Sequence, residues 1–226
     1  MGMNLFPITI IDDFFEDPDQ IHDLALEIDY NPRGPTAFPG VVSNPLNEIS
    51  SELVQWLSEK MVSIYFGHYT WMNWRNDVDI HKEDPYPDKD SILNRGAIHW
   101  DGGNCQLAGV VYLNKKPSRD AGTSFYTTKN QFFNSHRKDF QAQYLPKLKK
   151  YHAGEDVPDI EEVYSDYINQ FEETARVQAK YNRLIMYDPT LWHGPTTLGD
   201  QTRYTLRTFM SGITSQHETF PLARVL

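Results

Sequence analysis

The run IHWDGGNCQLAGVVYLN, residues 98–114, sets a histidine and an aspartate two positions apart at the mouth of an apolar stretch that reads as a buried strand. In an extended chain alternate side chains share a face, so the His99 imidazole and the Asp101 carboxylate can converge on one ion. Taken alone, the triplet reads more readily as a hydrogen-bonded histidine at a strand start. His81-Lys82-Glu83 offers a rival pair, but a proline-rich segment follows it instead of a strand. A metal site needs a third ligand from farther along the chain. Of the eight histidines, His193 has the right setting, because it follows the strand-like LIMYD and the turn PTLW and so enters at a strand end, where loops hold functional groups on a rigid frame. Two imidazoles and one carboxylate on one side of an ion leave the opposite positions open, an arrangement suited to a non-haem Fe(II) that must bind oxygen and a cosubstrate.

Arg203 follows ten residues after His193 in RYTLRTF, and the period of two places it on one face with Thr205 and Arg207. A guanidinium pointing into a barrel is costly to bury alone and well matched to a carboxylate held by two parallel hydrogen bonds. Each residue also has a plainer reading: His193 as a packed histidine beside Trp192, and the arginines as surface ion-pair partners. The ordered set of four outweighs these.

Short strands have to carry these residues. Residues 5–12 read as an opening strand, and Asp17-Pro18-Asp19-Gln20 as a helix start whose apolar face is Ile21, Leu24, Ala25 and Ile28. The spacing predicts a second helix over 46–65. From Trp71 the period becomes two through Met72, Trp74, Val78 and Ile80, with an interruption at Asn76. Residues 81–94, HKEDPYPDKDSILN, read as a loop that suits a lid over the site. Strands are expected over 107–113 and 123–126, then a mainly helical insertion over 128–173 whose stripe Ile160, Val163, Tyr164, Tyr167, Ile168 and Phe171 faces a core, then further strands to the end. Many short strands with helices packed outside favour a mainly β fold, a barrel or jelly roll, forming a single domain over 1–226.

Composition narrows the function. The chain has 21 basic against 31 acidic residues, a net charge of -10, so nucleic acid is an unlikely partner. One cysteine, Cys105, rules out an intrachain disulfide and a thiolate-built zinc site. The N-terminal stretch lacks the pattern of a signal peptide and no window has the length of a membrane span, so a cytoplasmic protein is expected.

With these residues in place, the chain resembles the Fe(II)- and 2-oxoglutarate-dependent dioxygenase superfamily, in particular its prolyl-hydroxylase-like and phytanoyl-CoA-hydroxylase-like branches. The His-x-Asp, distal His and later Arg of that pattern are matched by His99, Asp101, His193 and Arg203. VVYLNKKPSRDAGTSFY, YNRLIMYDPTLWHGP and ITIIDDFFEDPDQI are similar to its strand segments and N-terminal strand and helix. The resemblance covers most of the chain except 128–173. It implies a double-stranded β-helix (jelly roll, cupin-like barrel) with N-terminal packing helices, iron on His99, Asp101 and His193, and Arg203 pairing with the distal carboxylate of 2-oxoglutarate. Arg207 and Tyr112 are further candidates for the cosubstrate pocket. The implied reaction consumes 2-oxoglutarate and O2, releases succinate and CO2, and hydroxylates a small-molecule, peptide or protein substrate. Two other readings remain at this point: a non-catalytic barrel that binds a small acidic ligand or a metal, and a partner-binding protein acting through its insertion.

Overall fold

The computed structural model describes residues 8–32, 38–66, 71–101, 104–129 and 137–215. The chain runs β1 (Thr9–Ile11), α1 (Pro18–Glu27), β2 (Tyr30–Pro32), β3 (Val41–Ser43), α2 (Leu46–Ile49), α3 (Ser51–Phe66), β4 (Met72–Glu83), β5 (Cys105–Tyr112), β6 (Gly122–Thr128), α4 (Arg137–His152), α5 (Ile160–Asn169), β7 (Phe171–Gln178), β8 (Leu184–Tyr187), β9 (Trp192–Pro195) and β10 (Arg203–Ser215). A seven-stranded sheet in the order β1-β8-β5-β10-β4-β3-β2 faces a three-stranded sheet, β7-β6-β9, with antiparallel pairing throughout. This is the expected double-stranded β-helix.

The alternation along each strand divides the larger sheet into two chemical faces. Val78, Ile80, Leu107, Val111, Leu184, Met186, Leu206 and Met210 form its outer face and pack on Ile21 and Ala25 of α1 and on Leu57 and Met61 of α3. The opposite face looks into the barrel, where Val110, Ile185 and Tyr187 meet Phe125 and Val177 of the smaller sheet. The Tyr112 hydroxyl donates to Thr123 Oγ1 at 2.8 Å and ties β5 of one sheet to β6 of the other.

Local sequence explains most element ends. Asp17 caps α1, accepting from Gln20 N at 3.4 Å and from Gln20 Nε2 at 2.8 Å, with Pro18 in the first turn. The expected helix over 46–65 is two helices, because Ser50 is extended and its hydroxyl accepts from Leu53 N at 3.3 Å, capping α3. Asn76, which interrupts the apolar pattern of β4, is buried between Ser58 Oγ at 2.9 Å and Thr208 Oγ1 at 2.6 Å, so it locks α3 onto the sheet.

Two expectations need correction. Residues 81–83 are not loop: β4 continues to Glu83, because His81 pairs with Val42 and Thr205, Lys82 with Val41 and Tyr204, and Glu83 with Arg203. The rival pair His81 and Glu83 therefore sits at a strand end after all. Of the segment 81–94, only these two residues line the main cavity. The helical insertion ends before Phe171, which opens β7. The expected stripe does face a core: Tyr164, Tyr167 and Ile168 of α5 pack with Phe171, Leu148, Leu93, Ile98 and Trp192.

Candidate metal centre

Backbone pairing brings the two histidines side by side. His99 and His193 form an isolated antiparallel bridge in which His99 N donates to His193 O at 2.8 Å and His193 N to His99 O at 2.7 Å. Directly paired residues project to the same face, and the two rings lie 4.4 Å apart between centroids. Gly194 permits this approach, since a Cβ there would fall 2.7 Å from the Ala97 carbonyl oxygen. Gly194→Ala is accordingly expected to force β9 away from residues 97–99, costing about 1–3 kcal/mol of stability and weakening metal binding, as thermal unfolding with and without Fe(II) would show. The insertion supports the same segment: Tyr167 donates to the Ile98 carbonyl, and Tyr164 to the Arg95 carbonyl at 3.0 Å. Asp101 is fixed through its own N–H, which donates to Pro189 O at 2.8 Å.

Each imidazole is held in one tautomer. His99 Nδ1 donates to Ala97 O and His193 Nδ1 to Leu191 O, both at 2.9 Å, which turns each Nε2 towards Asp101. Asp101 completes it, with Oδ1 3.6 Å from His99 Nε2 and Oδ2 3.4 Å from His193 Nε2. The three ligand atoms lie within 4.8 Å of one another, and neighbouring donors on one ion with bonds of ~2.1 Å stand ~3 Å apart. Asp101 Oδ2 is buried and has no hydrogen-bond partner, a state a carboxylate oxygen sustains only at a cost. Burial and the neighbouring His193 push the His99 pKa down to about 4, so the ring is neutral and ready to ligate at physiological pH. The donor set fits a divalent ion.

The cavity beside this point, about 260 Å³, has a charged wall on the opposite sheet. Arg203, Thr205 and Arg207 of β10 all line it, as their spacing predicts. Arg203 donates through Nη1 to Glu83 and keeps Nε buried without a partner, and Thr205 Oγ1 is in the same condition. Arg207 is held by Asp79 through two hydrogen bonds of 2.8 Å each. Tyr112 does not line this cavity; it acts behind it through Thr123, which does.

Sequence reasoning does not place three of the lining residues in the cosubstrate pocket. Glu83 and His81 read there only as a rival metal pair ahead of a loop, and His81 Nε2 donates to Pro39 O at 3.0 Å. Tyr187, read only as part of a strand, donates to His193 Nε2 at 3.1 Å. Its position at the end of β8, just before the turn to His193, is the signal that could have found it.

The family described as "Family of unknown function (DUF6445)" matches residues 1–74 and 86–203. The chain belongs to DUF6445. No curated protein matches it. Solved structures share the fold of this DUF6445 chain. HygX from Streptomyces hygroscopicus, with nickel and 2-oxoglutarate bound, aligns with a TM-score of 0.54 at 11% identity, over 91% of this chain and 83% of HygX. A Pseudomonas putida prolyl-4-hydroxylase aligns at 0.51 and 12% identity, over 91% of this chain and 92% of that one. The non-heme alpha ketoglutarate dependent carbocyclase SnoK from nogalamycin biosynthesis aligns at 0.55 and 11% identity, over 92% and 81%. Among the described residues of the DUF6445 chain, no helix is long and apolar enough to cross a membrane.

Proposed function

We propose that this DUF6445 chain is a non-haem Fe(II)- and 2-oxoglutarate-dependent oxygenase that hydroxylates a small-molecule, peptide or protein substrate. One observation carries the reading: two imidazoles and one carboxylate meet at the edge of a cavity whose facing wall presents unsatisfied donors to an anion. His99, Asp101 and His193 would hold the iron, and Arg203 Nε with Thr205 Oγ1 would receive the distal carboxylate of the cosubstrate. Bound there, iron with 2-oxoglutarate and O2 supplies the power to oxidise an unactivated C–H bond, releasing succinate and CO2. The shared fold with HygX, whose structure holds nickel and 2-oxoglutarate, supports the assignment.

The chain's own side chains orient and shield. The backbone acceptors of both Nδ1 groups prevent the imidazoles from turning. Phe38, with its ring centroid 4.4 Å from that of His99, and the half-buried Trp100 would limit water at a bound metal. Retention of Asp101 favours hydroxylation, because a carboxylate occupies the position a halide would need.

The test is direct. Adding 2-oxoglutarate to the anaerobic Fe(II)-loaded protein is expected to produce a visible charge-transfer band, and admitting O2 to yield succinate slowly in the absence of substrate. Absence of both would overturn the reading; a band without succinate, whatever substrate is supplied, would indicate a binding barrel.

A further inference from the structure

The cavity wall carries its positive charges already neutralised. Glu83 lies directly across the β4–β10 ladder from Arg203, and Asp79 directly across from Arg207. Residues paired in this way project to one face, and Glu83, 3% exposed, accepts from Arg203 Nη1 inside the cavity. The cavity carries two guanidinium groups against three carboxylates, Glu83 and Asp101 in its lining and Asp79 held against Arg207. A 2-oxo acid with an uncharged tail adds one negative charge there, whereas 2-oxoglutarate adds two and sets its second carboxylate on a guanidinium that already holds one.

We propose that Glu83 is a specificity-determining residue: by occupying Arg203 and repelling a second carboxylate, it lowers the preference of the cavity for a dicarboxylic 2-oxo acid over one with an uncharged tail. The inference rests on the oxygenase reading. Glu83 acts through space, since like charges sharing one cation in a buried cavity are weakly screened. The unpartnered Nε of Arg203 shows how both can be held at once: Glu83 takes Nη1, and the guanidinium retains a separate donor for a ligand. His81 Nδ1 lies 3.7 Å from Glu83 Oε2, and Arg207 also acts on this carboxylate. Burial pushes the Glu83 carboxyl up, but His81, Arg203 and Arg207 more than offset this, so the group is ionised.

Glu83→Gln removes the charge and keeps an acceptor for Arg203. The anaerobic Fe(II) protein, wild type and variant, is titrated with 2-oxoglutarate and with 2-oxobutyrate, and the charge-transfer band gives Kd for each. The variant is expected to bind 2-oxoglutarate at least about tenfold more tightly and 2-oxobutyrate within about twofold of wild type. The 2-oxobutyrate Kd reports whether the metal site remains intact. An unchanged or weaker 2-oxoglutarate Kd, equal tightening for both acids, or a variant that binds neither overturns the proposal while wild-type binding upholds the oxygenase reading. No band with either acid in either protein overturns that reading, and the proposal falls with it.

Discussion

Asp101→Ala is expected to abolish iron retention, raising the Kd for Fe(II) by about 10²-fold or more, while leaving the metal-free protein as stable as before or more so. The two halves of this result have one cause. Asp101 is the only anionic member of the three-residue cluster and its Oδ2 is buried without a hydrogen-bond partner. Such a group weakens the metal-free fold and is justified only by a ligand. Removing it relieves the penalty and leaves two imidazoles with no anion beside them, which hold a divalent ion poorly. Thermal unfolding with and without Fe(II) separates the effects: wild type should gain stability on adding metal, whereas the variant should not. A variant that loses stability in the metal-free state and still responds to Fe(II) would show that Asp101 is a structural residue.

Arg203→Met is expected to cost more in stability than any other cavity substitution, about 3–5 kcal/mol, together with a fall of about 10 °C in Tm for a chain of this size. The methionine is not the source of the damage. Glu83, 3% exposed, would be left in the cavity wall without the guanidinium that neutralises it. Adding Glu83→Gln to the same chain should therefore recover most of the loss, which denaturant unfolding of the single and double variants measures as a coupling energy. Neither variant should show preference for 2-oxoglutarate over 2-oxobutyrate, because the cation that would recognise the distal carboxylate is absent from both.

The arrangement of charged residues explains what could be read from the sequence. His99 and Asp101 are two apart in an extended segment, and Arg203, Thr205 and Arg207 follow the same period, so each group's common face is a local property. His193 depends on pairing over a long separation, yet the strand and turn before it mark the right kind of position. Glu83 was illegible for a physical reason. The prolines beginning at Pro85 signal a loop, and what extends β4 to residue 83 is ladder pairing with Arg203 and its neighbours, more than a hundred positions away. The division of the 46–65 helix at Ser50 is not legible, because a serine inside an amphipathic run looks like an exposed helical residue, whereas its hydroxyl caps the next turn. The insertion stripe was visible as a core-facing surface, but that its tyrosines reach the carbonyls of Arg95 and Ile98 is a tertiary fact.

The strut from Tyr112 to Thr123 has a consequence for molecular length. The imidazoles hang from β9 and the segment bridged to it, and the guanidinium from β10 on the opposing sheet. The reach demanded of anything that touches both is thus a dimension of the scaffold. The barrel works as a caliper: its jaws are two sheets, and their opening is held by a pair of hydroxyls at the back of the cavity.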